Sequence, residues 1–305
     1  MPAGTEASLR DPGLKKPWGT ITAFLLPALT IYVAFTAYPA IRTIWNSFHK
    51  VLPRRDEAVG LANYAELVRD EIFWRSVRNT ITWACTSPLV EVSIALLLAL
   101  ALYAKVPGAR FFRVAWFTPV LMSYVVVGIL WLWIYNFDWG PVNVALRALG
   151  LGGWTKAWLG DPKTALPSLI FVTSWMWVGF NMVVLLAAIH AIPADYLEAA
   201  TVDGAGVWHR TVRIMVPLLR PTIVNLAILD FIGKMKQFAL VWVMTRGGPM
   251  WGTETVATYV VKRAFEWKTL DLGYPSAIAV IWFVIIFGLS LLLTRVLQRR
   301  EALEF

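Results

Sequence analysis

The chain has 305 residues, 58% of them hydrophobic and only 15% charged, with a mean hydropathy of +0.61, a composition far from that of a soluble globular domain and diagnostic of a membrane protein. A single cysteine, Cys85, excludes a disulfide framework within the chain, and three histidines without partner cysteines argue against a zinc site. The net charge of +9 is scattered among apolar segments, which fits lipid headgroups better than nucleic acid.

In chain order, the first uncharged run is 18–41, preceded by Lys15 and Lys16 and closing on Tyr38-Pro39. It is too long for a signal-peptide core and has no small-residue cleavage site, so it reads as a retained first helix. The stretch 63–78 places Tyr64, Leu67, Val68, Ile72 and Trp74 at helical spacing with charge opposite, an interfacial helix by pattern. Helix two is expected over 79–103 with Glu91 as its one charge, and helix three over 114–137 with none. A short basic turn carrying Lys105, Arg110 and Arg113 joins them. Helix four is expected over 166–189, helix five over 221–243, and helix six over 272–294, followed by Arg295, Arg299 and Arg300. Six spans of about 20 residues take about 120 positions, which leaves no room for a separate soluble catalytic domain. The seventeen tryptophans fit aromatic belts at the two interfaces.

An even number of spans puts both ends on one side. Lys and Arg divide almost evenly between the sides, but those on the tail-bearing side sit in short turns near helix ends, where the positive-inside bias acts. The opposite segments are longer and mix in acids such as Glu66, Asp70 and Glu71. Both ends are therefore expected in the cytoplasm. The expected organisation is a tail over 1–17, a six-helix all-α membrane domain over 18–297 and a tail over 298–305.

Between helices four and five lies a segment of different character, about 193–217. Asp195 followed by Glu198 is a D-x-x-E capping pattern, Ala199 and Ala200 are small, and Gly204 and Gly206 suit the left-handed conformation that ends a helix. A short helix from Tyr196 to about Asp203 is expected, then a second over 207–213. A stub with one small-residue face suits insertion into a groove on a partner protein.

The order of Glu198, Ala199, Ala200, Gly204, Ile214 and Pro217 resembles the EAA loop of permease subunits in ATP-binding-cassette importers; Val216 stands where that family usually has Leu. Further features are similar to the carbohydrate permeases of the maltose and glycerol-phosphate type: Tyr38-Pro39, Trp45-Asn46-Ser47-Phe48, Gly60-Leu61-Ala62-Asn63-Tyr64, Arg78-Asn79-Thr80, Phe117-Thr118-Pro119, Trp131-Leu132-Trp133, Asn181, and Thr245-Arg246-Gly247-Gly248-Pro249. The resemblance spans roughly residues 20–295. It implies a multi-pass subunit of the bacterial cytoplasmic membrane, with Glu198, Ala199, Ala200, Asp203, Gly204 and Ala205 coupling it to an ATPase. It also implies four partners besides the lipid bilayer: a second homologous permease, two copies of a cytoplasmic ATP-binding subunit and an extracytoplasmic solute-binding protein. The chain has no Walker G-x-x-x-x-G-K-[ST] loop, so ATP and magnesium are expected in the partner ATPase and no cofactor in this chain.

Charges within the spans mark the other site. Helix five carries Asp230, Lys234 and Lys236, which together cost roughly 8 to 10 kcal/mol if all are central, against roughly 3 to 7 kcal/mol from its eleven Leu, Ile, Val and Phe residues. Lipid exposure is therefore excluded, and the i,i+4 spacing favours an Asp230–Lys234 ion pair, which serves equally as helix-helix neutralisation or as part of a substrate path. Lys236 points elsewhere on the helix, and Glu91 marks a passage or bonds across helices. Trp131, Trp133, Trp175 and Trp177 read first as packing or interface anchors. A sugar path wants flat aromatic faces and amides, which adds Trp133, Trp177, Asn181 and Asn225 to the path candidates. The reading is the membrane subunit of an ATP-driven importer of a sugar or sugar derivative, anionic if the basic residues act in selection. A proton-coupled carrier using Glu91 and Asp230 is the rival, and it leaves the EAA segment unexplained.

Overall fold

The computed structural model describes residues 18–298 except 105, 268 and 269; the predicted tails, apart from Gln298, and Lys105 of the basic turn lie outside the described residues. The first span is Trp18–Tyr32 (α1), a π-helical turn Val33–Ala37 and Tyr38–Asn46 (α2). It runs past the expected end, because the helix widens into the π-helical turn just before Tyr38-Pro39 and continues through that pair to Asn46.

A feature that the all-α expectation lacks follows. His49–Leu52 (β1) and Arg55–Ala58 (β2) form an antiparallel hairpin with Lys50 opposite Glu57. Asn63 Nδ2 fixes its base by donating to the carbonyls of Ser47 and His49, and the Val51 N–H donates to Asp271 Oδ1.

The predicted interfacial helix is divided. Ala62–Arg69 (α3) stops at Asp70, and the residues beyond belong to the 33-residue helix Glu71–Tyr103 (α4), which contains the second span. Asp70 is extended, at φ −80°, ψ 101°, and its Oδ1 accepts from the backbone N–H of Ile72 and Phe73. Its Oδ2 accepts the hydroxyls of Tyr259 and Tyr274, so long-range bonds reinforce a local cap that the amphipathic pattern does not disclose.

The third span is also broken. Ala109–Phe117 (α5), continued by a 3₁₀ turn Thr118–Leu121, meets Tyr124–Ile134 (α6) at a 106° bend, with Pro119 in the 3₁₀ turn and Ser123 capping α6. Pro141–Ala148 (α7) and a 3₁₀ turn Gly152–Trp154 lead to Ala165–His190 (α8), the fourth span. Ala194–Val202 (α9) and Val207–Arg210 (α10) follow, then a π-helical turn Thr211–Met215, Val216–Leu218 (α11), Arg220–Lys234 (α12) and Ala239–Met244 (α13). The expected fifth helix is thus two pieces. Its break is satisfied from outside, because Trp282 Nε1 donates to the Met235 carbonyl and Thr255 Oγ1 to that of Gln237. Val256–Val261 (α14), the π-helical turn Lys262–Glu266 and Gly273–Gln298 (α15), where the sixth span is expected, complete the described residues.

Among the described residues four helices are long and apolar enough to cross a membrane, and the count is up to six if each bent pair forms one span. Burial sorts them: the α8 window is 67% buried, whereas that of α1 and α2 is 0% buried. α8 packs along α4, α12 lies against α4, α13 against α6, and α15 against α2, α3, α12 and α14.

Candidate functional site

Two places carry the residues singled out by the sequence. The first is α9 and its C-terminal turn. Helix α9 starts at Ala194, two residues before the expected Tyr196, with Pro193 at φ −56°, ψ 133° as its N-cap residue, so Asp195 falls inside the first turn and no side-chain cap forms. The reciprocal D-x-x-E cap is therefore not made; Asp195 acts only as an acid in the first turn, where the helix dipole favours it. The other end follows the expected rule. Gly204 is left-handed at φ +79°, its N–H donates to the Thr201 carbonyl, and the Ala205 N–H donates to that of Ala200, the two bonds of a Schellman cap. Gly206, expected to be left-handed too, is extended at φ −65°, ψ 167° because it is the N-cap residue of α10.

One side of α9 is anchored. Leu197 packs on the cluster formed by Leu102, Leu186, Ile189 and Met215, and Ala200 is buried. Arg210 Nη1 donates to Thr201 Oγ1 at 2.6 Å, tying α10 back to α9. The other side is open: Glu198, Ala199, Asp203 and Gly204 are exposed, and Ala205 is half-buried. Beside them Val202, Val207 and Trp208 are 88%, 71% and 80% exposed, an apolar patch that sequence pattern did not single out. Its only signal was a tryptophan two residues past a glycine break.

The second place lies between the spans. Lys234, the last residue of α12, places Nζ 3.0 Å from Glu91 Oε1 and 3.1 Å from Oε2 on α4. Asp230, one turn earlier, accepts from Asn181 Nδ2 of α8 at 2.6 Å. The expected local pair is thus corrected: Lys234 salt-bridges across to Glu91, and Asp230 is held by an amide while still feeling the charge of Lys234. All four groups are buried, none more than 8% exposed. Lys234 also sits 5.2 Å from the ring centroid of Trp177, whose Nε1 donates to the Tyr124 hydroxyl at 2.8 Å. Tyr124 is the first residue of α6, so the cluster adjoins the breaks of both the third and fifth spans.

The remaining path candidates separate from that cluster. Lys236 lies beyond the end of α12 and is exposed, as is Asn225; Trp133 is 63% exposed. Helical-wheel placement of Lys236 fails because the helix has already ended. Trp131 packs against Tyr135, Phe171 and Trp175, the packing role expected of it.

A third cluster escaped sequence reasoning. In the turn 245–255, Lys262 Nζ lies 2.5 Å from Glu254 Oε2 and donates to the Arg246 carbonyl at 2.6 Å, while Asn79 Nδ2 donates to the carbonyls of Trp251 and Glu254. Gly247 is left-handed at φ +78°, and a Cβ there would sit 1.8 Å from Glu254 Oε2, so the first glycine of the Gly-Gly-Pro turn is demanded by its backbone and by the buried ion pair. Burial pushes the Glu254 carboxyl above its ordinary range, opposed by Lys262. Among the described residues no group of three His, Cys, Asp or Glu side chains is arranged to hold a metal.

The profile of the binding-protein-dependent transport system inner membrane component family matches residues 91–302, a stretch that includes Glu91, the α9 segment and Lys234. The chain belongs to that family. It is 35% identical over 278 residues to the probable ABC transporter permease protein YurN of Bacillus subtilis (strain 168), covering 88% of this chain and 92% of that protein. It is 30% identical over 275 residues to the trehalose/maltose transport system permease protein MalF of Thermococcus litoralis, covering 89% and 91%. In fold it matches, with a TM-score of 0.81 at 24% identity, a chain in the crystal structure of a bacterial ABC transporter involved in the import of the acidic polysaccharide alginate, covering 92% of this chain and 96% of that one. This permease is accordingly a multi-pass inner membrane component of an ABC transporter, and membership does not favour the proton-coupled carrier.

Proposed function

We propose that this permease carries a sugar or sugar derivative inward across the cytoplasmic membrane by alternating access, driven by ATP hydrolysed in a partner. The observation that carries the reading is α9: a short helix anchored by Leu197 and Ala200 on the ends of α4 and α8, presenting Glu198, Ala199 and an apolar patch outward, closed by a left-handed Gly204. A buried anchor with an exposed small-residue face is the form of a docking lever. The assembly has a dimer of ATP-binding subunits at α9, a second permease in the membrane and a solute-binding protein outside; relatives named for trehalose/maltose, sulfoquinovosyl glycerol and lactose transport support a carbohydrate cargo.

The bent pairs Ala109–Leu121 with Tyr124–Ile134 and Val207–Leu218 with Arg220–Lys234 each count as one span, giving six and both termini in the cytoplasm. Closure of the ATPase dimer moves α9, and the motion passes into α8 directly and into α12 through α10 and α11. The Glu91–Lys234 and Asn181–Asp230 contacts hold α4, α8 and α12 together during that motion. The passage is lined instead by groups that reach the surface of this subunit, Trp133, Trp177, Asn225 and Lys236. A lysine left in lipid costs about 2.5 to 3.5 kcal/mol, so exposed Lys236 faces water, cargo or the second permease.

Topology tests the reading. With Cys85 replaced by serine, a cysteine at position 206 is labelled only from the cytoplasm and one at 158 only from outside; the reverse pattern removes the docking role.

A further inference from the structure

Where α8 begins, a groove of about 510 Å³ opens between α6, α7 and α8. Its walls are aromatic and aliphatic, chiefly Trp131, Tyr135, Val142, Trp158 and Phe171, with Lys163 at the mouth. Three hydroxyls also line it, but Thr164 Oγ1 and Ser168 Oγ both donate to the Trp158 carbonyl, and the Tyr135 hydroxyl donates to that of Ser168. A carbohydrate needs many free partners and finds few. An amphiphile needs an apolar slot and one cationic contact, which the groove supplies.

Position agrees. Phe171 lies six residues into α8, about 9 Å below its first residue at 1.5 Å per residue, so the groove runs from the helix start into the hydrocarbon layer. The neighbouring chain carries exposed Phe137, Trp139 and Trp154 together with exposed Lys156 and Lys163, the aromatic and basic belt of a membrane–water boundary. Among the described residues no acid forms an ion pair with Lys163; the Asp161 carboxylate accepts only its backbone N–H. The indole N–H of Trp131 is buried without a hydrogen-bond partner.

We propose that this groove is a phospholipid site, holding one acyl chain against Tyr135, Trp158 and Phe171 with the headgroup phosphate at Lys163. An anionic headgroup is preferred, because a basic residue at the surface attracts it without a compensating choline charge.

The assembled importer, purified from nanodiscs containing equal phosphatidylglycerol and phosphatidylcholine, tests this by native mass spectrometry of the lipid retained. Wild type retains phosphatidylglycerol preferentially. Lys163→Gln, an exposed position whose change leaves the fold intact, lowers that preference about fivefold; Val142→Phe, which fills the slot, lowers retention of both lipids. An unchanged preference in Lys163→Gln overturns the proposal, whatever Val142→Phe does. A photoreactive residue at Phe171 should cross-link to lipid; cross-linking to the second permease overturns the proposal equally, since the groove is then a subunit contact.

Discussion

Glu91 and Glu198 are the same residue in opposite circumstances. Glu91 is fully buried and finds its cation inside the chain, on Lys234; Glu198 stands exposed on α9, among apolar side chains that a soluble surface rarely displays together. The contrast teaches where the partner of each site lies. A buried charge left unpaired costs several kcal/mol, and the intramembrane cluster supplies a cation to Glu91 through Lys234 and an amide to Asp230 through Asn181. An exposed acid costs almost nothing in the isolated subunit, and under the proposed docking role of α9 its counterpart lies on the ATP-binding partner.

Mutations should therefore affect stability and transport in opposite proportion at the two places. The largest stability loss is expected for Lys234→Met, which leaves Glu91 and Asp230 without a cation: about 3 to 5 kcal/mol, read as a lowered Tm and folded yield of the complex. Adding Glu91→Gln should recover more of that loss than adding Asp230→Asn; the opposite ranking would restore the one-turn pairing suggested by sequence spacing. Asn181→Leu removes the 2.6 Å bond to Asp230 and should cost about 1 to 3 kcal/mol. Gly204→Val meets no atom within 4 Å, so only the left-handed backbone resists it, about 1 to 2 kcal/mol. Uptake in that variant should nonetheless fall sharply, and wild-type uptake would break the comparison. Smallest in stability is Trp208→Ala, within about 0.5 kcal/mol at an 80% exposed site, yet it should weaken recovery of the ATPase with the permease.

Legibility followed the range of the interactions. The α9 segment, its glycine stop and the first, fourth and sixth expected spans could be read because their signals are local: a left-handed glycine past the helix end and runs of apolar positions, although the D-x-x-E pattern of α9 is not realised as a cap. The second span could be read but not its start, since Asp70 ends α3 by caps that two distant tyrosines reinforce. The third and fifth spans misled: the sequence shows Pro119 and the charges of helix five, but not the angle at which Ala109–Leu121 meets Tyr124–Ile134, nor that Trp282 and Thr255 take over the carbonyls at 235 and 237. That the charges of helix five avoid lipid was expected from energetics alone, and Asp230 and Lys234 are buried while Lys236 is exposed. Their partners were not expected, for Lys234 and Glu91 stand 143 residues apart. The same holds for Glu254 and Lys262, because Glu254 lies in the turn before α14 and Lys262 in the π-helical turn after it, so no single regular element sets their spacing.

The most direct test of the coupling claim is Glu198→Ala in the importer reconstituted with its ATPase and binding protein. The account predicts an unchanged Tm together with uptake lost and ATP hydrolysis no longer coupled to the loaded binding protein. Stimulated hydrolysis and uptake both at wild-type levels would contradict it, because α9 would then be a surface turn with no partner to move it.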